Sequence, residues 1–181
     1  MAIVGLYRDI YGIQPKPNRF YLEPHSTPEL NGTKLRYELR GRLYLVDLNT
    51  GNYAISTGTC TLHDSHPFGI NATGSGFEYF PSTNSDWAMA VSRSDDQPLT
   101  IRIENWPSAP DAPRQWTETA PQAKGAMLHR VAHLRPNAIY DLKANGQIID
   151  SLQADKAGCI RFECKRDYAV PQNFELSLTG Y

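Results

Sequence analysis

Long apolar runs, helical periodicity, net charge and cysteine are what this chain has little of. No stretch approaches the roughly 20 apolar residues that a membrane-spanning helix needs, and the start, Met1-Ala2-Ile3-Val4-Gly5, lacks a basic region followed by a long apolar one. Neither a membrane partner nor a leader within this chain is therefore expected. Eighteen Lys and Arg stand against nineteen Asp and Glu, a formal charge of −1. With no basic field to attract phosphates, a nucleic-acid partner is not expected either. Three cysteines, Cys60, Cys159 and Cys164, are too few for a disulfide framework or a zinc knuckle. Cys159 and Cys164 fall in one strand-like stretch, five residues apart at about 3.3 Å each, too far to bond to one another. Unpaired thiols are the expectation. No cofactor is implied, and nothing in the sequence supports a structural Ca²⁺.

What is present is alternation. In Thr33 to Arg40, Leu35, Tyr37 and Leu39 point one way while Lys34, Arg36, Glu38 and Arg40 point the other, the pattern of a half-buried strand. Gly41 turns the chain into Arg42 to Leu48, apolar on both parities and so expected to lie deeper. Short segments follow at Tyr53 to Ser56, Cys60 to Leu62, Phe77 to Phe80, Trp87 to Arg93, Leu99 to Trp106 and Gln115 to Thr119. Asp64 to Gly76 loses periodicity and reads as a loop with a brief extended piece at Phe68 to Ile70. Beyond a composition break at Ala120 to Gly125 come Ala126 to Leu134, Ala138 to Lys143, Gln147 to Leu152, Gly158 to Cys164 and Asn173 to Leu178. Asn145-Gly146 is a hairpin signal, since both residues tolerate positive φ. Short strands at this spacing predict an all-β chain, an antiparallel β-sandwich, with residues 1–120 as the main body and 121–181 as a smaller lobe or its continuation.

Leu134-Arg135-Pro136-Asn137-Ala138-Ile139-Tyr140 has the form L-x-P-x-x-x-Y and resembles the tyrosine corner of fibronectin type III-like sandwiches, in which the hydroxyl bonds back to the corner's backbone. The following Asp141-Leu142, Asn145-Gly146 and Ala154-Asp155-x-x-Gly158-Cys159-Ile160-x-Phe162 resemble terminal β-sandwich modules of bacterial polysaccharide-degrading enzymes. Tyr11 to Pro15, Phe20-Tyr21-Leu22-Glu23-Pro24 and Leu35-Arg36-Tyr37 with Arg40-Gly41-x-x-Tyr44-x-Val46 are similar to the β-domain that follows the helical barrel in many glycoside hydrolases and phosphorylases. The resemblance covers residues 11–48 and 134–162. It implies an ancillary, carbohydrate-binding-module-like domain, with a polysaccharide or oligosaccharide and the catalytic domain of a parent protein as partners. The same resemblance implies a secreted or periplasmic parent, of which a chain beginning abruptly at Gly5-Leu6-Tyr7 and ending on a strand reads as a fragment. It carries no catalytic residue across, because in such enzymes these sit in the barrel.

Sugars bind by laying an apolar CH face on an aromatic ring while placed polar groups take the hydroxyls. The tryptophans are therefore weighed by parity. Trp87 shares a face with Met89 and Val91, which predicts core packing. In Leu99-Thr100-Ile101-Arg102-Ile103-Glu104-Asn105-Trp106 the apolar set is Leu99, Ile101 and Ile103, so Trp106 takes the wet parity of Arg102 and Glu104 if the strand stays regular. Trp116 depends on a register that the sequence leaves open. The candidate ligand-binding set is Trp106 and Trp116 as platforms with Arg102 and Glu104 as polar helpers. Pro107, Pro110 and Pro113 recur at the three-residue period of polyproline II and predict a stiff strap between the two tryptophans. His63-Asp64-Ser65-His66 raises the question of a metal, without a fixed third ligand to answer it. His129 and His133 are about 13 Å apart along a strand and cannot share one. No carboxylate pair, nucleophile elbow or phosphate loop is recognisable, which leaves a small lyase or hydrolase as the unsupported alternative and a purely structural packing domain as the second one.

Overall fold

The computed structural model describes residues 5–180 except 26, 94, 96, 122 and 123, so Met1 to Val4 and the Gln122-Ala123 part of the composition break lie outside the described residues. Two sheets enclose one core. The first has seven strands in the spatial order β1 (Ile13–Lys16), β2 (Arg19–Leu22), β7 (Phe68–Ala72), β8 (Gly76–Phe80), β9 (Met89–Arg93), β12 (Lys124–Val131) and β15 (Ile160–Asp167). The second has nine, ordered β14 (Gln147–Gln153), β13 (Ile139–Ala144), β16 (Gln172–Leu178), β11 (Arg114–Thr119), β10 (Leu99–Asn105), β6 (Cys60–Asp64), β5 (Asn52–Ser56), β4 (Arg42–Asn49) and β3 (Thr33–Leu39). The alternation thus folds as the all-β sandwich it predicts.

One pair departs from antiparallel order: β6 and β10 run parallel, Cys60 beside Leu99 through His63 beside Arg102. A parallel pair needs a long crossover, and here the crossover is β7, β8 and β9, three strands of the opposite sheet. Residues 121–181 are woven into both sheets. β12 pairs with β9, and β16 pairs with β11, so the stretches on either side of residue 120 share their sheets and core.

Within the Asp64 to Gly76 stretch the extended piece expected at Phe68 to Ile70 forms and runs on to Ala72. Phe68, Gly69 and Ile70 are all buried in β7, which lies between β2 and β8. A three-residue buried run carries no alternation, so periodicity does not reveal its burial. β4 lies deeper than β3 as expected, yet its second apolar face stays open, with Leu43 and Leu45 exposed at the outer surface beside Glu38 and Arg36 of β3. The three cysteines are free.

The tyrosine corner forms. The Tyr140 hydroxyl accepts from the Arg135 amide at 2.8 Å and donates to the Pro110 carbonyl at 2.9 Å, tying the corner to the proline segment. Gly158 lets the corner close, because its φ is +72° and a Cβ there would stand 2.2 Å from the Leu134 carbonyl oxygen. Tyr140 is fully buried, so Tyr140→Phe leaves an amide and a carbonyl without this partner. Its expected cost is about 1–3 kcal/mol, read as a lower urea midpoint with unchanged slope.

Candidate functional site

The site grows from an irregularity at the end of β10. Ile103 pairs with Trp116 but Asn105 pairs with Gln115, so Glu104 is an extra residue on this strand, a β-bulge. Each residue past a bulge changes face. Asn105 takes the outer parity of its neighbour Gln115, and Trp106 turns toward the inward-facing Arg114. There it stands half-buried, its ring edge-on to Tyr79 at 5.4 Å and tilted over Trp116 at 6.0 Å. The wet parity expected for Trp106 is thereby corrected: the ring sits at the end of the sandwich, over the core margin.

Trp116 is not a platform at all. It is 0 % exposed, stacks on Phe174 at 5.4 Å, and donates from Nε1 to the buried Glu118 carboxylate at 2.7 Å. Its inward face is set by the pairing of β11 with β16, which sequence leaves undetermined. Trp87 errs in the opposite direction. While Met89 and Val91 are buried, Trp87 is half-buried, with the Arg130 guanidinium 4.3 Å above its ring. Arg130 projects between the inward residues His129 and Val131, so Trp87 lies on the outer face; β9 begins only at Met89, and parity counted across Trp87-Ala88 does not hold.

Arg102 and Glu104 stand on the outer surface of the nine-stranded sheet. Arg102 donates to Asn52 at 2.8 Å and lies 4.0 Å from Glu104, and Glu104 also accepts from Thr117 at 3.3 Å. Of the four candidates, Trp106 and Glu104 border one cleft; Arg102 lies outside it and Trp116 beneath it.

That cleft, about 590 Å³, opens at the end of the sandwich between the sheets. Tyr79, Ala88 and Ile103 form its base, all buried. Asp64 and His66 enter where the chain leaves β6, Ser82 and Ser85 from the β8–β9 connection, Asn105 and Trp106 from the bulged end of β10, and His133 from beyond β12. Arg114, 1 % exposed, closes one side and donates to the carbonyls of Pro110, Ala112 and His133 at 3.1, 3.0 and 2.8 Å. It thereby ties down the strap between the tryptophans, which bends through a turn closed by the Ala112 amide on the Ala109 carbonyl at 3.3 Å and does not run as the stiff polyproline II segment its proline spacing predicts. Burial lowers the Arg114 guanidinium from its ordinary value.

Asp64 is the buried acid of the cleft. It accepts from the Tyr79 hydroxyl at 2.8 Å and the His66 amide at 2.9 Å, with His66 Nδ1 at 3.4 Å. Burial raises its carboxyl above 3.8, outweighing those donors. Burial and the neighbouring Asp64 charge hold the Tyr79 phenol well above its usual value, so it remains a donor. Ionised Asp64 is therefore disfavoured by folding, and its contribution to stability is full below pH 3.8 and lost as pH rises through the raised value. Asp64→Asn is expected to gain stability relative to the parent chain as pH rises above 3.8, measured as a difference in urea midpoints that widens with pH.

His63 and Asp64 occupy opposite faces of β6: His63 meets Asn52 at 3.2 Å on the outer surface while Asp64 points to Tyr79, so they do not converge on a metal. Ser65, His66 and Asp64 do not form a proton relay either. The hydroxyl, at 3.0 Å, and the carboxylate, at 3.4 Å, both approach the same ring nitrogen, Nδ1, whereas a relay needs one at each. Sequence reasoning missed Tyr79, Ser82, Ser85 and Arg114; it weighed His66 as a metal ligand and Asp64 as a metal ligand or an unpaired carboxylate. They lie on separate elements that only the fold brings to one end of the sandwich, so no local pattern announces them.

Comparison with known proteins finds no matching family model, no matching curated protein and no matching solved structure. The functional reading rests on the cleft.

Proposed function

We propose that this chain is a non-catalytic carbohydrate-binding module of a glycoside hydrolase or related enzyme, and that the end cleft holds a sugar against Trp106. The observation that carries this reading is a half-exposed indole set in an otherwise largely buried apolar base, ringed by short polar side chains from both sheets. Apolar surface with a few placed hydrogen-bonding groups, in a volume within the usual range for small-ligand sites, suits a polyhydroxylated ring. Ser82 and Ser85 brace each other, each amide donating to the other's hydroxyl and the Ser85 hydroxyl to the Ser82 carbonyl, which leaves the Ser82 hydroxyl as a donor; Asn105 keeps its Oδ1 and one Nδ2 hydrogen beyond its bond to Pro113, the mixture that vicinal hydroxyls require.

The alternative, a domain that only packs on a catalytic barrel, calls for a contiguous apolar outer patch. On the nine-stranded sheet the exposed apolar side chains fall in two places, Leu43 and Leu45 on β4, interrupted by the neighbouring Arg36 and Glu38, and Ile139, Ile148 and Ile149 on β13 and the edge strand β14, where such a packing surface would have to lie. The test is affinity electrophoresis through cellulose, xylan, mannan, pectin and alginate. Retardation is expected in at least one gel, and Trp106→Ala is expected to run unretarded there with an unchanged circular dichroism spectrum. Free migration of the wild type in all five, or equal retardation of the variant, defeats the reading.

A further inference from the structure

Resting on the carbohydrate reading, we infer that the cleft takes the terminal sugar of a neutral glycan chain end-on, and does not hold an internal stretch of polymer. The chain path closes the cleft sideways. On one flank the β6–β7 connection, bearing Asp64 and His66, crosses from the nine-stranded sheet to the seven-stranded one; on the other the β12–β13 connection, bearing His133, crosses back. Arg114 ties this second flank to the proline strap through the His133 and Pro110 carbonyls. Below lies the core, represented by Tyr79, Ala88 and Ile103 at 2 %, 1 % and 5 % exposure. A polymer bound along its length needs two exits, and here the chain crosses between the sheets on both flanks.

The aromatic inventory agrees. Internal stretches are gripped by several exposed rings spaced along an open face, whereas here Trp106 is the one tryptophan bordering the pit and Trp116 is sealed beneath it. One platform matches one ring. Charge selects within that class: Glu104 brings an exposed carboxylate to the lining, while the Arg114 guanidinium already donates to main-chain carbonyls. A uronate terminus meets the Glu104 carboxylate, while both terminal nitrogens of Arg114 are taken by main-chain carbonyls and its Nε, the donor without a partner, is buried.

The experiment is isothermal titration with cello-, xylo- and manno-oligosaccharides of one to six units, with oligogalacturonides of the same lengths as the anionic probe. For the neutral series that binds, affinity per molecule is expected to level off by two units. Intact polymer is expected to compete, per unit mass, less than its own hydrolysate by the ratio of their chain-end concentrations. Oligogalacturonides are expected not to bind. Affinity that climbs steadily to six units, or polymer and hydrolysate competing equally by mass, overturns end recognition while leaving carbohydrate binding intact. Preference for oligogalacturonides overturns the neutral assignment. Absence of binding by every probe, together with free migration in all five gels, overturns the carbohydrate reading and this inference with it.

Discussion

Glu118→Ala is expected to destabilise the fold by about 3–5 kcal/mol, the usual result of removing one member of a buried hydrogen-bonded pair. Glu118 and His129 are both fully buried, and a single oxygen, Glu118 Oε1, receives Trp116 Nε1 and His129 Nε2 at 2.7 Å each. The imidazole lies flat against Phe162, with centroids 4.4 Å apart and planes 4° from parallel, so it cannot swing out to water without dismantling the stack. Alanine at 118 orphans two buried donors at once. A double replacement, Glu118→Leu with His129→Phe, removes the polar groups together and is expected to recover most of the loss. Urea unfolding of the parent, both single variants and the double variant gives the coupling directly. Additive single losses would show that the pair is not linked.

Trp116→Ala is expected to cost a similar 3–5 kcal/mol, since it empties the volume of the largest fully buried side chain and leaves Glu118 short of a donor. Trp106→Ala should separate from it cleanly. Trp106 lies half-buried at the rim, so its loss falls mainly on ligand retention, by about tenfold or more, equivalent to at least about 1.4 kcal/mol of binding. Measured together, the two variants distinguish a core tryptophan from a rim tryptophan: one lowers the thermal midpoint, the other the affinity. A Trp116→Ala protein as stable as the parent would contradict the packing described, and retention unchanged in Trp106→Ala would remove the platform from the cleft.

The four residues first weighed as a sugar site show how far a linear pattern reaches. Leu99, Ile101 and Ile103 are buried as their alternation predicts, and Arg102 is on the outer face as its parity predicts. Counting stops working one residue later, because the extra residue at Glu104 reverses the parity of Trp106. For Trp116 the needed information lies some 60 residues away, in the pairing of Trp116 with Phe174. Arg114, which follows Pro113, is the staple that holds three carbonyls of the strap and the β12–β13 connection. Nothing local marks it, because its partners are main-chain atoms brought close only by the fold.

By itself the sequence determined the all-β class, most of the strands, the hairpin at Asn145-Gly146 with φ of 51° and 80°, and the Tyr140 corner. Each of these is set by period-two burial, turn stereochemistry or a contact only a few residues long, which the order of side chains records directly. Tertiary structure alone decided the parallel β6–β10 pair, the place of β7 between β2 and β8, the buried Glu118–His129 pair and the cleft under Trp106. These depend on register and on which sheet each connection crosses to, and a one-residue shift in either exchanges inside for outside without altering the local pattern.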